Sequence, residues 1–147
     1  MFRSIVVGTD GSETAHRAVA QAVDLAKALG ARLEIVCAYE PVSGTRLREK
    51  RASVPADVQW MVNAREDVDA TLREAVGQAD VEGVAVETYA RQGDPADAII
   101  DVAEERGADL IVVGNKGMTG AKRFLLGSVP NKVSHHAPCS VLIIRTV

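Results

Sequence analysis

Short apolar runs with almost no polar interruption recur along this chain, separated by segments whose apolar residues return every three or four positions. That alternation leaves few folds open. A strand wetted on one face alternates apolar with polar residues, so a continuous apolar run belongs to a strand covered on both faces, as in a parallel sheet. Ile5-Val6-Val7, Leu33 to Ala38, Val84 to Thr88, Leu110 to Val113 and Val141 to Ile144 are the candidate strands. Glu87 interrupts the third and predicts a sheet edge, whereas Leu110 to Val113 has no polar residue and predicts a central strand.

The intervening stripes are helical. Ala15, Ala18, Ala22, Leu25 and Leu29 mark the first, which Gly30 ends as a left-handed C-terminal residue. Met61, Val68, Leu72 and Val76 mark a second, over Val58 to Val76. Gly93-Asp94-Pro95 starts a third, with Asp94 as cap, proline in the first helical position, Ala96, Ile99, Ile100 and Ala103 as the buried stripe and Gly107 as the end. Ser128 opens a short fourth helix through about His135. Pro41 to about Asp57 reads as an irregular, solvated loop despite Arg46, Arg48, Lys50 and Arg51, and Trp60 as a packing or partly exposed residue. The order β-α-β-loop-α-β-α-β-loop-α-β predicts an α/β fold: an open, mainly parallel five-stranded sheet with helices on both faces and right-handed crossovers. At 147 residues, one domain over 1–147 is expected.

Composition narrows the function. A formal net charge of −3 argues against broad nucleic-acid binding, which needs a basic face. The N-terminal Met1-Phe2-Arg3-Ser4 runs straight into a strand without a basic leader, and no apolar run nears the ~20 residues of a membrane span. A cytoplasmic protein with no membrane partner is expected. Cys37 and Cys139 lie in or beside apolar runs without a CxxC pairing and read as inert core thiols. His135 and His136 are adjacent, so they point in different directions and make a poor metal pair; they are expected to face solvent. No GxGxxG follows the first strand, and neither a Walker motif nor a GxSxG elbow is present. A phosphorelay receiver would need clustered acids after that strand and an aspartate after the third, where Arg91-Gln92-Gly93 stands.

Chemistry concentrates in two loops, each leaving the carboxyl end of a strand expected to sit where the strand order reverses. The first is Gly8-Thr9-Asp10-Gly11-Ser12. Asp10 is a poor phosphate contact; its partners would be ribose hydroxyls or a metal ion, unless Asp10 or Ser12 simply caps the first helix. The second runs Gly114-Asn115-Lys116-Gly117 and, nine residues on, Gly127-Ser128. Its glycines allow backbone N–H groups close to an anion, Gly127 being expected to need close approach and an angle closed to other residues. The following helix offers unpaired N–H donors, reinforced by a Ser128 cap, and Pro130 in its first turn costs nothing. Lys116, Lys122 and Arg123 add positive charge to residues 114–128, which contain no acid. A bound phosphate chain is the expectation.

These landmarks resemble the universal stress protein family over the whole chain. Gly114, Gly117, Gly127 and Ser128 meet the spacing of its nucleotide signature, and Thr9-Asp10-Gly11-Ser12 and Gly93-Asp94-Pro95 are similar as well. The resemblance implies a Rossmann-like fold of the adenine nucleotide alpha hydrolase type and a site for ATP. By position it assigns Asp10, flanked by Thr9 and Ser12, to the ribose. Backbone at Ala38 goes to the adenine, Gly114, Gly117, Gly127 and Ser128 to ribose and phosphates, and Val129 to the phosphate end. It also implies a divalent ion (Mg or Mn) on the phosphates and a homodimer through the apolar last strand. Cyclic AMP is an alternative ligand, and a slow ATPase or phosphotransferase an alternative activity. With no general base near the terminal phosphate, no catalytic residue is assigned, and turnover is expected to be slow or absent.

Overall fold

The computed structural model describes residues 1–39, 54–115 and 126–146, with side chains at all of these except 54–66. The basic residues at 46–51, Lys116, Gly117, Lys122 and Arg123, and the side chains of Trp60 and Met61, lie outside the described residues. The strands are β1 (Ser4–Gly8), β2 (Arg32–Tyr39), β3 (Val86–Gln92), β4 (Leu110–Gly114) and β5 (Ser140–Ile144). The helices are α1 (Glu13–Leu29), α2 (Val54–Val81), α3 (Pro95–Arg106) and α4 (Ser128–His136).

All strand pairs are parallel, in the order β3-β2-β1-β4-β5. Because successive side chains on a strand point to opposite faces, β1 divides its apolar run between two cores. Ile5 and Val7 pack with α1 and α2 through Val19, Ala22, Val68 and Leu72. Val6 packs with α3 and α4 through Ile99, Val102 and Val133. Helices therefore cover both faces, which is why β1, β2 and β4 read as continuous apolar runs. β4 is internal and β3 is an edge, as Leu110 to Val113 and Glu87 predicted.

Three helices end alike. Gly30, Gly83 and Gly107 have φ of +64°, +72° and +61°. The next residue's N–H reaches back to a carbonyl of the last turn: Ala31 to Ala26, Val84 to Ala79, Ala108 to Ala103. This motif corrects two boundaries. Val84 completes the end of α2, so β3 begins at Val86 and runs to Gln92 instead of spanning Val84 to Thr88. Gly77 is not a stop, so α2 runs to Val81 instead of Val76; burial of Ala75 and Ala79 on either side outweighs the ~1 kcal/mol penalty of an internal glycine. α2 also starts earlier, at Val54, inside the stretch read as irregular. Asp94 caps α3 by accepting from Asp97 N–H at 3.1 Å. That hydrogen bond, with help from Lys132, holds its carboxyl below the usual range.

One side chain breaks the apolar run of β2. Glu34 is 1% exposed, on the α3 face of the sheet. Arg32 Nε (3.0 Å) and Arg106 Nε (3.5 Å) both donate to its Oε1, and Oε2 has no partner among the described residues. Arg106 also reaches Glu87 Oε2 at 3.3 Å, which accepts from Tyr89 O–H at 2.9 Å.

Candidate functional site

Strand order reverses between β1 and β4: β2 and β3 continue on one side, β5 on the other. Ligands of open parallel sheets bind in the crevice beyond the carboxyl ends of strands at such a point. Val7 is level with Val112, so Gly8 and Gly114 end their strands one residue out of step. A cleft open to solvent lies there, about 390 Å³ when the solvent space at its mouth is counted. Gly8, Asp10 and Ser12 line it from the β1–α1 turn, and Thr14, Ala15 and Ala18 from α1. Ile99, Val113, Gly114, Val129 and Pro130 complete it from α3, β4 and α4.

The β1–α1 turn is held by its own polar groups. Thr9 N–H donates to the Val36 carbonyl at 2.9 Å, and its buried hydroxyl accepts from Gly11 N–H at 3.2 Å. Ser12 is the cap, its Oγ accepting from Ala15 N–H at 3.2 Å and lying 3.2 Å from Thr14 Oγ1. Asp10 Oδ1 accepts from Ser12 N–H at 2.9 Å, leaving Oδ2 without a partner among the described residues. The open alternative between capping and ligand contact is thus divided: Ser12 caps, and Asp10 braces the turn while bordering the cleft. Gly11 has φ +81°, and a Cβ there would lie 2.9 Å from Thr71 Oγ1, so this position tolerates only glycine without strain.

Across the cleft, two expectations about α4 are corrected. Ser128 is the first helical residue rather than the cap; the cap position is Gly127, and no side chain bonds there. Gly127 has φ −62° and ψ 165°, extended backbone open to any residue, so the angular reason for glycine falls away. What remains is a helix N-terminus whose first-turn N–H groups have no side-chain cap among the described residues, beside cleft residues Val129 and Pro130. Asn115 fixes its position. The Asn115 carbonyl accepts from Gly127 N–H at 3.0 Å, and Asn115 N–H donates to the Ile144 carbonyl at 2.7 Å.

Of the residues singled out from sequence, Asp10, Ser12, Gly114 and Val129 line the cleft. Thr9 lies buried under the turn, and Gly127 and Ser128 directly precede Val129 at the start of α4. Ala38 is two positions beyond Val36, the partner of Gly8, and packs against the α3-side core rather than lining the cleft. Gly117 lies outside the described residues. Sequence reasoning missed Thr14, Ile99, Val113 and Pro130 as lining residues. Ile99 counted only as core, and its place here depends on how α3 crosses the sheet. The readable signal was Gly8, a glycine closing a buried strand.

Both thiols are held toward the protonated form. Burial, then the Asp10 carboxylate, pushes Cys37 up to about 11. Burial, then Asp109, raises Cys139, which is only partly buried. His135 and His136 are exposed at the end of α4. Among the described residues no three carboxylates, imidazoles or thiols gather to hold a metal. No helix of the described residues is long and apolar enough to cross a membrane.

Comparison with known proteins gives a consistent result. The universal stress protein family matches over residues 1–145. Universal stress protein Rv1636 of Mycobacterium tuberculosis is 38% identical over 146 residues, covering 99% of this chain and 97% of that protein. A solved universal stress protein in complex with cAMP superposes with a TM-score of 0.73 at 35% identity, covering 99% of this chain and 98% of the other. The universal stress protein from Archaeoglobus fulgidus in complex with dAMP gives 0.67 at 27% identity, with 98% of both chains covered.

Proposed function

The chain belongs to the universal stress protein family, and on that premise we propose that it binds an adenine nucleotide, ATP first, as a regulatory ligand in a cytoplasmic stress response. The observation that carries this reading is the cleft at the β1/β4 reversal, with a helix N-terminus that no described side chain caps on one side and the Asp10 carboxylate on the other. The two polar ends suit different parts of one ligand. Unpaired N–H groups and the helix dipole favour phosphate oxygens near Gly114, Gly127, Ser128 and Val129, with Gly117 assigned to the same task. A carboxylate oxygen accepts from ribose hydroxyls, which is the role of Asp10; Thr9 and Ser12 hold its turn. Adenine lies toward the end of β2, where Ala38 extends past Gly8. A divalent ion, Mg or Mn, would neutralise the phosphates. Among the described cleft residues only Asp10 ionises, and its place at the sugar leaves no base for the terminal phosphate. Turnover is therefore slow or absent. Cyclic AMP is the second reading, favoured by the 35% identical structure in complex with cAMP.

Mass spectrometry of nucleotide released from denatured, freshly purified protein identifies the ligand, and calorimetric titration tests the site. Asp10→Ala is expected to weaken ATP roughly tenfold or more, since a hydrogen bond to a charged group contributes ~1.5–3 kcal/mol, and to narrow the difference between ATP and its 2′-deoxy analogue. Unchanged ATP affinity in Asp10→Ala, at unchanged melting temperature, would remove the ribose assignment. Parent protein that binds no adenine nucleotide would remove the function.

The same reading includes a homodimer through β5. This strand is a sheet edge, and Leu142 and Ile143 on its opposite faces are 38% and 39% exposed. A bare apolar edge is a liability until covered, and a two-fold contact covers it in both copies. Light scattering is expected to give twice the chain mass, and Leu142→Lys with Ile143→Lys the single mass. A parent monomer at micromolar concentration, with or without ATP, rules the dimer out.

A further inference from the structure

The geometry points to Asn115 as a positioning residue that couples the nucleotide site to the segment following β5. This rests on the cleft being the nucleotide site. Asn115 follows Gly114 at the end of β4 and makes four hydrogen bonds to three separate segments. Its N–H and carbonyl join β5 and the start of α4, through Ile144 and Gly127. Its side-chain Oδ1 accepts twice from Thr146, from N–H at 2.9 Å and from Oγ1 at 3.1 Å.

Thr146 is 3% exposed although it lies beyond the last strand. Its carbonyl accepts from Arg17 Nη1 at 2.9 Å, and Arg17 Nη2 reaches Glu13 Oε1 at 3.1 Å in the first turn of α1. One residue thus ties β4, α4 and the post-β5 segment together, α4 through its backbone carbonyl and Thr146 through its side-chain Oδ1, and Arg17 carries the tie to α1. Three of these elements, β4, α4 and α1, supply cleft residues. The fourth, residues 145–146, supplies none, yet the set is closed through it. A ligand that draws the α1 and α4 N-termini into fixed places must favour the state in which Thr146 is seated. By reciprocity, a seated Thr146 must favour the ligand to the same factor.

The residue type fits the task. Thr146 presents two donors, N–H and O–H, to one buried point, which requires an acceptor there. Aspartate would accept equally well but would set a negative charge beside the N-terminus that receives phosphate. Asn115→Asp is therefore expected to keep the segment seated and still weaken ATP, whereas Asn115→Ala releases the segment.

The test combines affinity with a reading of the segment itself. In the parent, saturating ATP is expected to slow hydrogen exchange in the peptide containing Thr146 by about fivefold or more, the lower range of measured couplings. A chain ending at Arg145, Thr146→Val and Asn115→Ala are expected to bind ATP more weakly, with the first and last showing the largest loss. The exchange measurement on the parent requires no variant and stands even if the truncated chain fails to fold. Parent that binds ATP with no change in exchange at Thr146 overturns the coupling, whatever the variants do. Weaker binding by the variants without that protection assigns Asn115 a purely structural part and overturns it equally. Parent that binds no adenine nucleotide fails the function itself, a result separable from these.

Discussion

Gly8→Val is expected to lower ATP affinity at least ~100-fold, equivalent to about 2.7 kcal/mol. Gly8 closes β1 and lines the cleft. A Cβ built on it would stand 2.5 Å from Ile99 Cδ1, closer than real contacts allow, and 3.1 Å from Cγ1, tighter than most. Ile99 is 2% exposed and itself borders the cleft, so it has little room to retreat. Valine adds two further methyls at the same point. The added volume must either enter the space the ligand would use or push Ile99 there, and overpacking adds a stability cost of ~1–3 kcal/mol. Pairing the change with Ile99→Ala frees that space and is expected to recover stability and part of the affinity. Calorimetry well below the melting temperature decides. Folded Gly8→Val protein that binds ATP like the parent would mean that the ligand does not use this cleft.

The second large effect concerns stability and is asymmetric. Replacing both Arg32 and Arg106 by methionine is expected to cost about 3–5 kcal/mol, because it strands the buried Glu34 carboxylate without a counterion. Glu34→Leu is expected to be near neutral, or stabilising by about 1 kcal/mol or more. It removes the desolvated charge and leaves two guanidiniums that are 50% and 36% exposed and accessible to water. Urea unfolding monitored by circular dichroism gives both values, provided the slope with denaturant is unchanged. Equal destabilisation by the two changes would contradict this reading of Glu34.

What the sequence made legible follows from range. The inner strands were readable because a strand covered on both faces declares itself in its own residues, as Ile5-Val6-Val7 does. The helix stops at Gly30 and Gly107 and the start at Asp94-Pro95 were readable because capping is settled within four or five positions. The far end of the second helix was placed at Val76 instead of Val81 because only tertiary burial, here of Ala75 and Ala79, shows that a helix runs on through Gly77. The two loops of the site were visible in their spacing, and their meeting followed from the βαβ order. The cleft wall was not: Ile99 reaches it through the crossing of α3, and Asn115 finds Thr146 thirty-one positions away. The pairing of Glu34 was not readable because Arg106 lies 72 positions on.

The two borders of the sheet are unlike, and this bears on how far copies could add to one another. The β3 border carries Glu87 and Arg91, the latter locked to Glu105 by paired contacts of 3.0 and 2.6 Å. The β5 border carries bare aliphatic side chains. A further strand arriving at β3 would have to strip water from fixed charges, whereas at β5 it displaces water from oil-like surface. Joining β5 to β5 consumes both hospitable borders and leaves only the charged ones facing outward. In the proposed pair growth would stop at the first addition, so runaway fibre formation would be blocked by the same act that completes the pair.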